Sequence, residues 1–172
     1  MGGGVSIAAH QNGKIKDVNN ALAGDGPFAL ERSGGLPVGD LIKMCYSNEY
    51  TLDEMLRKVN GRGGMIAYLN TTDAKEIENR ILGSDDYALE VTKAMTYQIS
   101  KEIGAISTVF DGKINSIILT GGLAYWDRFT DLIMKRVSFI APIFKYPGEN
   151  EMESLAFGTY RYLSGKENLS VY

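Results

Sequence analysis

The segment Ile117-Ile118-Leu119-Thr120-Gly121-Gly122 constrains the fold more than any other. A continuous apolar run of this length suits a strand covered on both faces. The glycine pair ends the strand, and a helical pattern follows from about Leu123 to Val137. A second strand reads from Ile143 to Tyr146, Pro147-Gly148 turns the chain, and a last helix runs from about Glu151 to Leu163. Strand, helix, strand, helix in that order implies parallel strands with a right-handed crossover. The second half of the chain is therefore α/β.

The first half opens differently. Val5 to Ala9 reads as a strand, Asn12-Gly13 as a tight turn and Ile15 to Val18 as the return strand. Asn-Gly suits the positive dihedrals of a type I′ hairpin turn. Asn19 to Pro37 holds glycines and prolines without periodicity and reads as a long loop. Short helices are expected over Asp40–Tyr46, after the capping box Thr51-Leu52-Asp53-Glu54, and over Asp73–Leu82. Met65 to Leu69 is a short apolar piece of either type. From about Asp85 to Phe110 the apolar residues Ala88, Val91, Met95, Ile99, Ile103, Ile106 and Phe110 recur in steps of three and four, one buried helical stripe. The fold class expected is a mixed sheet that opens with a β-hairpin and ends β-α-β-α, with helices packed on it.

The 172 residues suffice for one domain with a real core. Eighteen basic against 21 acidic side chains leave no basic stripe, so nucleic acid is not an expected partner. One cysteine and one histidine exclude a disulfide framework and a His/Cys zinc cage within one chain. No apolar run approaches the ~18 residues of a membrane span, and the cytoplasm is the default compartment. Met1-Gly2-Gly3-Gly4-Val5-Ser6 fits an N-myristoylation pattern, but Val5 opens a strand that should be buried. Cys45, on an apolar helix, reads as a buried small hydrophobe.

Glycine is the outlier, 20 of 172 residues, and it clusters. Gly2-Gly3-Gly4 heads the hairpin, where successive backbone N–H groups can face an anion unobstructed. The same run also reads as linker. Gly121-Gly122 leaves bare backbone at the carboxyl edge of the sheet, where open α/β sheets take ligands, although helix–strand packing alone would also use glycine there. No P-loop and no G-x-G-x-x-G fingerprint is present at that turn. In the loop Gly24 to Pro37, Arg32 presents a planar guanidinium suited to phosphate or carboxylate; a surface arginine is the plain alternative.

Together, these features resemble the superfamily of sugar kinases, heat-shock chaperones and actin, in which ATP lies between two similar domains. The closer resemblance is to the acetate kinase family, and within it to the butyrate branch. GGGVSIAAHQNGKIKDVNNALAGDGPFALERSGGLPVGDL (Gly2–Leu41), AYLNTTDAKE (Ala67–Glu76), IILTGGLAYWD (Ile117–Asp127) and FIAPIFKYPGENEME (Phe139–Glu153) carry it. Arg32-Ser33-Gly34-Gly35-Leu36-Pro37 departs from the Arg-Ser-Gly-Asp-Ile-Asp of acetate kinases and favours the butyrate branch.

The resemblance implies an actin-like ATPase domain over residues 1–165, one of two such domains, and a loose tail over 166–172. It implies ATP/ADP and Mg²⁺ as cofactors. Gly2, Gly3 and Gly4 match a phosphate-binding hairpin, and Arg32 the arginine that stabilises the transferring phosphoryl group. Asp73 and Lys75 match an Asp-x-Arg element near adenosine and ribose, with Lys75 a departure. Gly121 and Gly122 match the adenosine turn. Glu151 matches the carboxylate associated with magnesium, with Glu149 and Glu153 close enough to compete; the alternative for Glu151 is a glutamate favoured by a helix N-terminus.

In the family His-Leu precedes the glycine hairpin, where this chain has Met1. An N-terminal half carrying the other phosphate hairpin and much of the acyl site is therefore expected to be missing. The expected function is the nucleotide half of a kinase transferring phosphate from ATP to butanoate, inactive without the other half. The alternatives are a non-catalytic oligomerisation or nucleotide-binding remnant, or half of a kinase for another short-chain acid. The expected partners are nucleotide, a short-chain carboxylate through the missing half, and a second copy of the chain in a homodimer or larger homo-oligomer.

Overall fold

A computed structural model describes residues 1–168. The tail expected over 166–172 thus falls largely outside the described residues. Strand β1 (Ala8–Gln11) pairs antiparallel with β2 (Lys14–Val18). Asn12 and Gly13 both have positive φ, 54° and 75°, as a type I′ turn requires. Strand β3 (Ile117–Gly121) pairs parallel with β4 (Ile143–Pro147), joined through helix α6 (Asp127–Val137). Helix α7 (Glu151–Leu163) follows. The intervening helices are α1 (Val38–Cys45), α2 (Leu52–Val59), α3 (Met65–Leu69), α4 (Ala74–Leu82) and α5 (Asp86–Ile106).

The α/β class stands, with helices on small sheets. The two ladders remain separate. The segment between them explains why. Gly2 N–H donates to Gly4 O at 3.0 Å, which turns the head of the chain out of extended geometry. Val5 is buried, yet the ladder begins only at Ala8.

The core sits between α5, α6 and β3. Ala88, Val91, Met95, Ile99 and Ile103 of α5 are buried with Leu119 of β3 and Phe129, Ile133 and Val137 of α6. Truncating one of the large ones, such as Met95 or Phe129, to alanine would destabilise by about 2–5 kcal/mol. A second buried row on α5 is polar: Thr92, Thr96 and Ser100. Their hydroxyls donate to the carbonyls of Ala88, Thr92 and Thr96 at 2.8, 3.1 and 2.7 Å. Each small side chain satisfies itself on its own helix and lets a neighbour approach closely.

Among the described residues, two helices are left uncovered. Neither α1 nor α7 has a buried residue. Cys45 is accordingly exposed, which corrects the expectation of a buried thiol. The helix expected over Asp40–Tyr46 is present, but among the described residues nothing covers its apolar face. Among the described residues no helix is long and apolar enough to cross a membrane.

Candidate functional site

Three chain segments meet at the carboxyl end of β3, and backbone hydrogen bonds stitch them. The Met1 amine donates to Thr120 O at 2.9 Å, and Leu123 N–H donates to Met1 O at 3.1 Å. Gly121 and Gly148 exchange both backbone bonds, 3.1 and 3.2 Å. Gly121 has φ +90° and Gly148 φ +101°, a region that favours glycine. A Cβ on Gly148 would also stand 2.9 Å from the Tyr125 hydroxyl. The turn after β3 is therefore a short 3₁₀ segment, Gly122–Tyr125, rather than the first turn of α6. Its Leu123 N–H is already committed to Met1.

The loop that carries Arg32 is held from beneath. Ser33 N–H donates to Val59 O at 3.0 Å and Gly61 N–H to Glu31 O at 2.8 Å. Met65 and Ile66 N–H donate to Ala29 and Leu30 O, each at 2.9 Å. The start of α3 and the end of α2 thus fix the backbone of residues 29–33. Glu31 N–H then donates to Gly3 O at 3.3 Å, joining the loop to the glycine head.

That junction lays three charged side chains on three consecutive glycines. A Cβ on Gly4 would overlap the Arg32 guanidinium. A Cβ on Gly3 would stand 2.8 Å from a Glu31 carboxylate oxygen, and one on Gly2 would stand 3.6 Å from Glu149 Oε1. Among the described residues, none of the three side chains has an ion-pair partner. Arg32 Nε is buried with no acceptor. Burial holds the Met1 amine below its ordinary range, and Glu149 opposes that shift.

The structure brings Gly2, Gly3, Gly4, Arg32, Gly121 and Gly122 into one neighbourhood. Asp73 and Lys75 do not share its hydrogen bonds. Asp73 is the N-cap of α4, accepting from Lys75 N–H at 2.8 Å and Glu76 N–H at 3.4 Å, and Lys75 is exposed. Glu151 stands exposed in the first turn of α7 beside Glu153, where a carboxylate complements the helix dipole. Glu149, two residues nearer β4's end than Glu151, is the acidic residue that reaches the glycine head.

Sequence reasoning missed Glu31, Gly148 and Asn19. Glu31 carried no signal beyond adjacency to Arg32. Gly148 read only as a turn. Asn19 is buried; it accepts from Ile7 N–H at 2.6 Å and donates to Val5 O at 3.3 Å, pinning the strand beneath the glycines. Trp126 is buried and stacked on Phe129 with ring centroids 5.4 Å apart, and its indole N–H has no partner.

A glycine cradle, an unsatisfied guanidinium and nearby carboxylates fit a phosphorylated ligand with a divalent cation, and comparison with known proteins gives this arrangement a family. The acetokinase family model matches residues 1–139, so the chain belongs to the acetokinase family. It is 55% identical over 172 residues to butyrate kinase 2 of Clostridium acetobutylicum, covering all of this chain and 48% of that protein. It is 49% identical over the same span to a probable butyrate kinase of Listeria innocua, again covering 48% of it. The chain thus spans about half the length of the curated relatives it matches. Among solved structures, acetate kinase from Porphyromonas gingivalis superposes with a TM-score of 0.83 at 21% identity, over 95% of this chain and 47% of that one. Acetate kinase from Entamoeba histolytica gives 0.79 at 16% identity, over 94% and 50%. These likenesses show the fold, which the chain shares with these acetate kinases.

Proposed function

We propose that the chain is the nucleotide-binding half of a butyrate kinase, acting in phosphoryl transfer from ATP to butanoate to give butanoyl phosphate. The observation that carries this reading is the Arg32 side chain laid on Gly4, its Nε buried and without an acceptor, beside the backbone of Gly2 and Gly3. The strip offers N–H donors to phosphate oxygens without a Cβ in the way. Arg32 stabilises negative charge on the transferring group, a contribution worth ~10³–10⁵ in rate where an arginine serves that role. Gly121 and Gly122 take the adenosine, with Asp73 and Lys75 on its ribose side. Magnesium, when bound with nucleotide, neutralises the phosphates, and Glu151 is the family's carboxylate for it.

The acyl substrate belongs to the other half of such a kinase, and turnover is proposed only for the two together. The proposal also carries a homo-oligomer, supported by the exposed Val38, Ile42 and Met44 of α1, and the cytoplasm as the compartment.

The test is a hydroxamate assay. The 172-residue chain with MgATP, butanoate and hydroxylamine forms no butanoyl hydroxamate, and adding the N-terminal half of a butyrate kinase restores it. Robust turnover by the chain alone contradicts the division of labour. Failure of the mixture on folded protein, with no nucleotide bound, favours a non-catalytic module.

A further inference from the structure

We propose that Asn19 is a positioning residue for the nucleotide site: its buried amide holds the glycine strip in register with the Arg32 loop without touching the ligand. The inference rests on the strip and Arg32 forming that site, and adds what sets their mutual geometry.

Asn19 directly follows β2 and is 8% exposed. Its side chain bonds to two separate segments. Oδ1 accepts from Ile7 N–H at 2.6 Å, and Nδ2 donates to Val5 O at 3.3 Å and to Asp25 O at 3.4 Å. Its backbone N–H also donates to Ile7 O at 3.4 Å, so Asn19 engages both polar groups of Ile7. Val5 directly follows Gly4 and is itself buried. The amide therefore fixes the backbone one residue from the strip.

The same amide fixes the start of the Arg32 loop. Gly26, with φ +71°, lies so close that a Cβ on it would overlap Asn19 Nδ2. The Asp25 carboxylate closes the intervening turn, accepting from Asn20 N–H at 2.9 Å and Gly26 N–H at 2.8 Å. Beyond Gly26 the loop closes on itself. Gly35 N–H donates to Gly26 O and Ala29 N–H to Arg32 O, each at 2.9 Å. A shift at Asn19 is thus passed to Arg32 along a short, hydrogen-bonded path.

Among the described residues, Asn19 is the one side chain hydrogen-bonded both to the strand after the strip and to the Arg32 loop. Only a side-chain amide accepts at one atom and donates twice at the other. A carboxylate would offer the two carbonyls no donor, and would join Asp17, Asp25 and Glu102, which line a cavity with Asn19. A fully satisfied buried network of this kind rigidifies what it joins.

Calorimetry of the full chain with MgADP tests this in a double-mutant cycle, with ¹⁵N-glycine shifts following the weaker complexes. Asn19→Ser, too short to reach all three partners, lowers affinity about tenfold in the wild-type background. In the Arg32→Ala background the loss is less than about twofold, because there is no guanidinium left to misplace. A residue that only stabilises the fold would give the same loss in both. Thermal melting checks folding; if Asn19→Ser is unfolded, Asn19→Asp, which keeps the acceptor for Ile7, carries the cycle. Equal losses in the two backgrounds, no loss in a folded variant, or unfolding of both variants overturns the inference alone. A folded wild-type chain that binds no MgADP overturns the nucleotide reading and this inference with it.

Discussion

Gly63-Gly64 and Gly2-Gly3-Gly4 look alike in the sequence and differ in what surrounds them. A Cβ on Gly64, whose φ is +72°, would stand 2.6 Å from Arg32 O and nearer still to Ala29 O. A Cβ on Gly63 would stand 2.7 Å from Ser33 N and overlap Lys58 O. Those obstacles are backbone and cannot move away. At Gly2 to Gly4 the obstacles are the side chains of Glu149, Glu31 and Arg32, which can. One cluster lets the chain pack on itself and so fixes the backbone of Arg32. The other leaves backbone facing movable charges, the condition for admitting a ligand.

The two clusters should therefore fail in different ways. The largest effect is expected at Gly64→Ala. Overpacking against two carbonyls and a left-handed dihedral together destabilise by about 3 kcal/mol or more, a large fraction of a domain's total. Denaturant unfolding measures it, and a loss below about 1 kcal/mol would show the backbone there to be more yielding than drawn. Arg32→Ala comes next: nucleotide affinity drops at least about tenfold in calorimetry, while melting shifts by only a few degrees. Gly4→Ala pushes the Arg32 guanidinium aside and is expected to weaken nucleotide binding by severalfold, again with little change in melting. If Gly4→Ala unfolded the chain as Gly64→Ala does, the distinction between the two clusters would collapse.

The smallest effect lies away from both clusters and serves as a control. Asp85 caps α5, accepting from Ala88 N–H at 2.9 Å, and pairs with Arg80 at 2.9 Å. The Ala88 N–H first, then Arg80, holds its carboxyl below the ordinary range. A lowered folded-state value stabilises above the unfolded value and is lost as pH falls through the folded one. Asp85→Asn should flatten the acid limb of the stability profile and leave nucleotide affinity at neutral pH untouched. An unchanged acid limb would mean that the cap contributes nothing there.

Much of the fold was legible because local chemistry and global fold agree. Asn12-Gly13 makes its turn, Thr51 and Glu54 form the capping box, and the β3–α6–β4–α7 order stands. What could not be read is what covers what. Cys45 lies on an amphipathic helix, and among the described residues none buries its apolar face. Thr92, Thr96 and Ser100 look like a solvated row until their self-satisfied hydroxyls are seen. In the candidate site, the sequence singled out Gly2–Gly4, Arg32 and Gly121-Gly122, which the fold gathers into one neighbourhood. The site was not legible where long-range backbone contacts decide, as with Glu31 on Gly3 and Gly148 on Gly121.

The central claim is that the glycines at the head of the chain and after β3 meet nucleotide, while those beneath the Arg32 loop do not. Selective ¹⁵N-glycine labelling separates the two sets in one titration with MgADP. The account predicts shifts at Gly2, Gly3, Gly4, Gly121 and Gly122, with Gly63 and Gly64 still. Shifts confined to Gly63 and Gly64, or none at millimolar MgADP on folded protein, would contradict it.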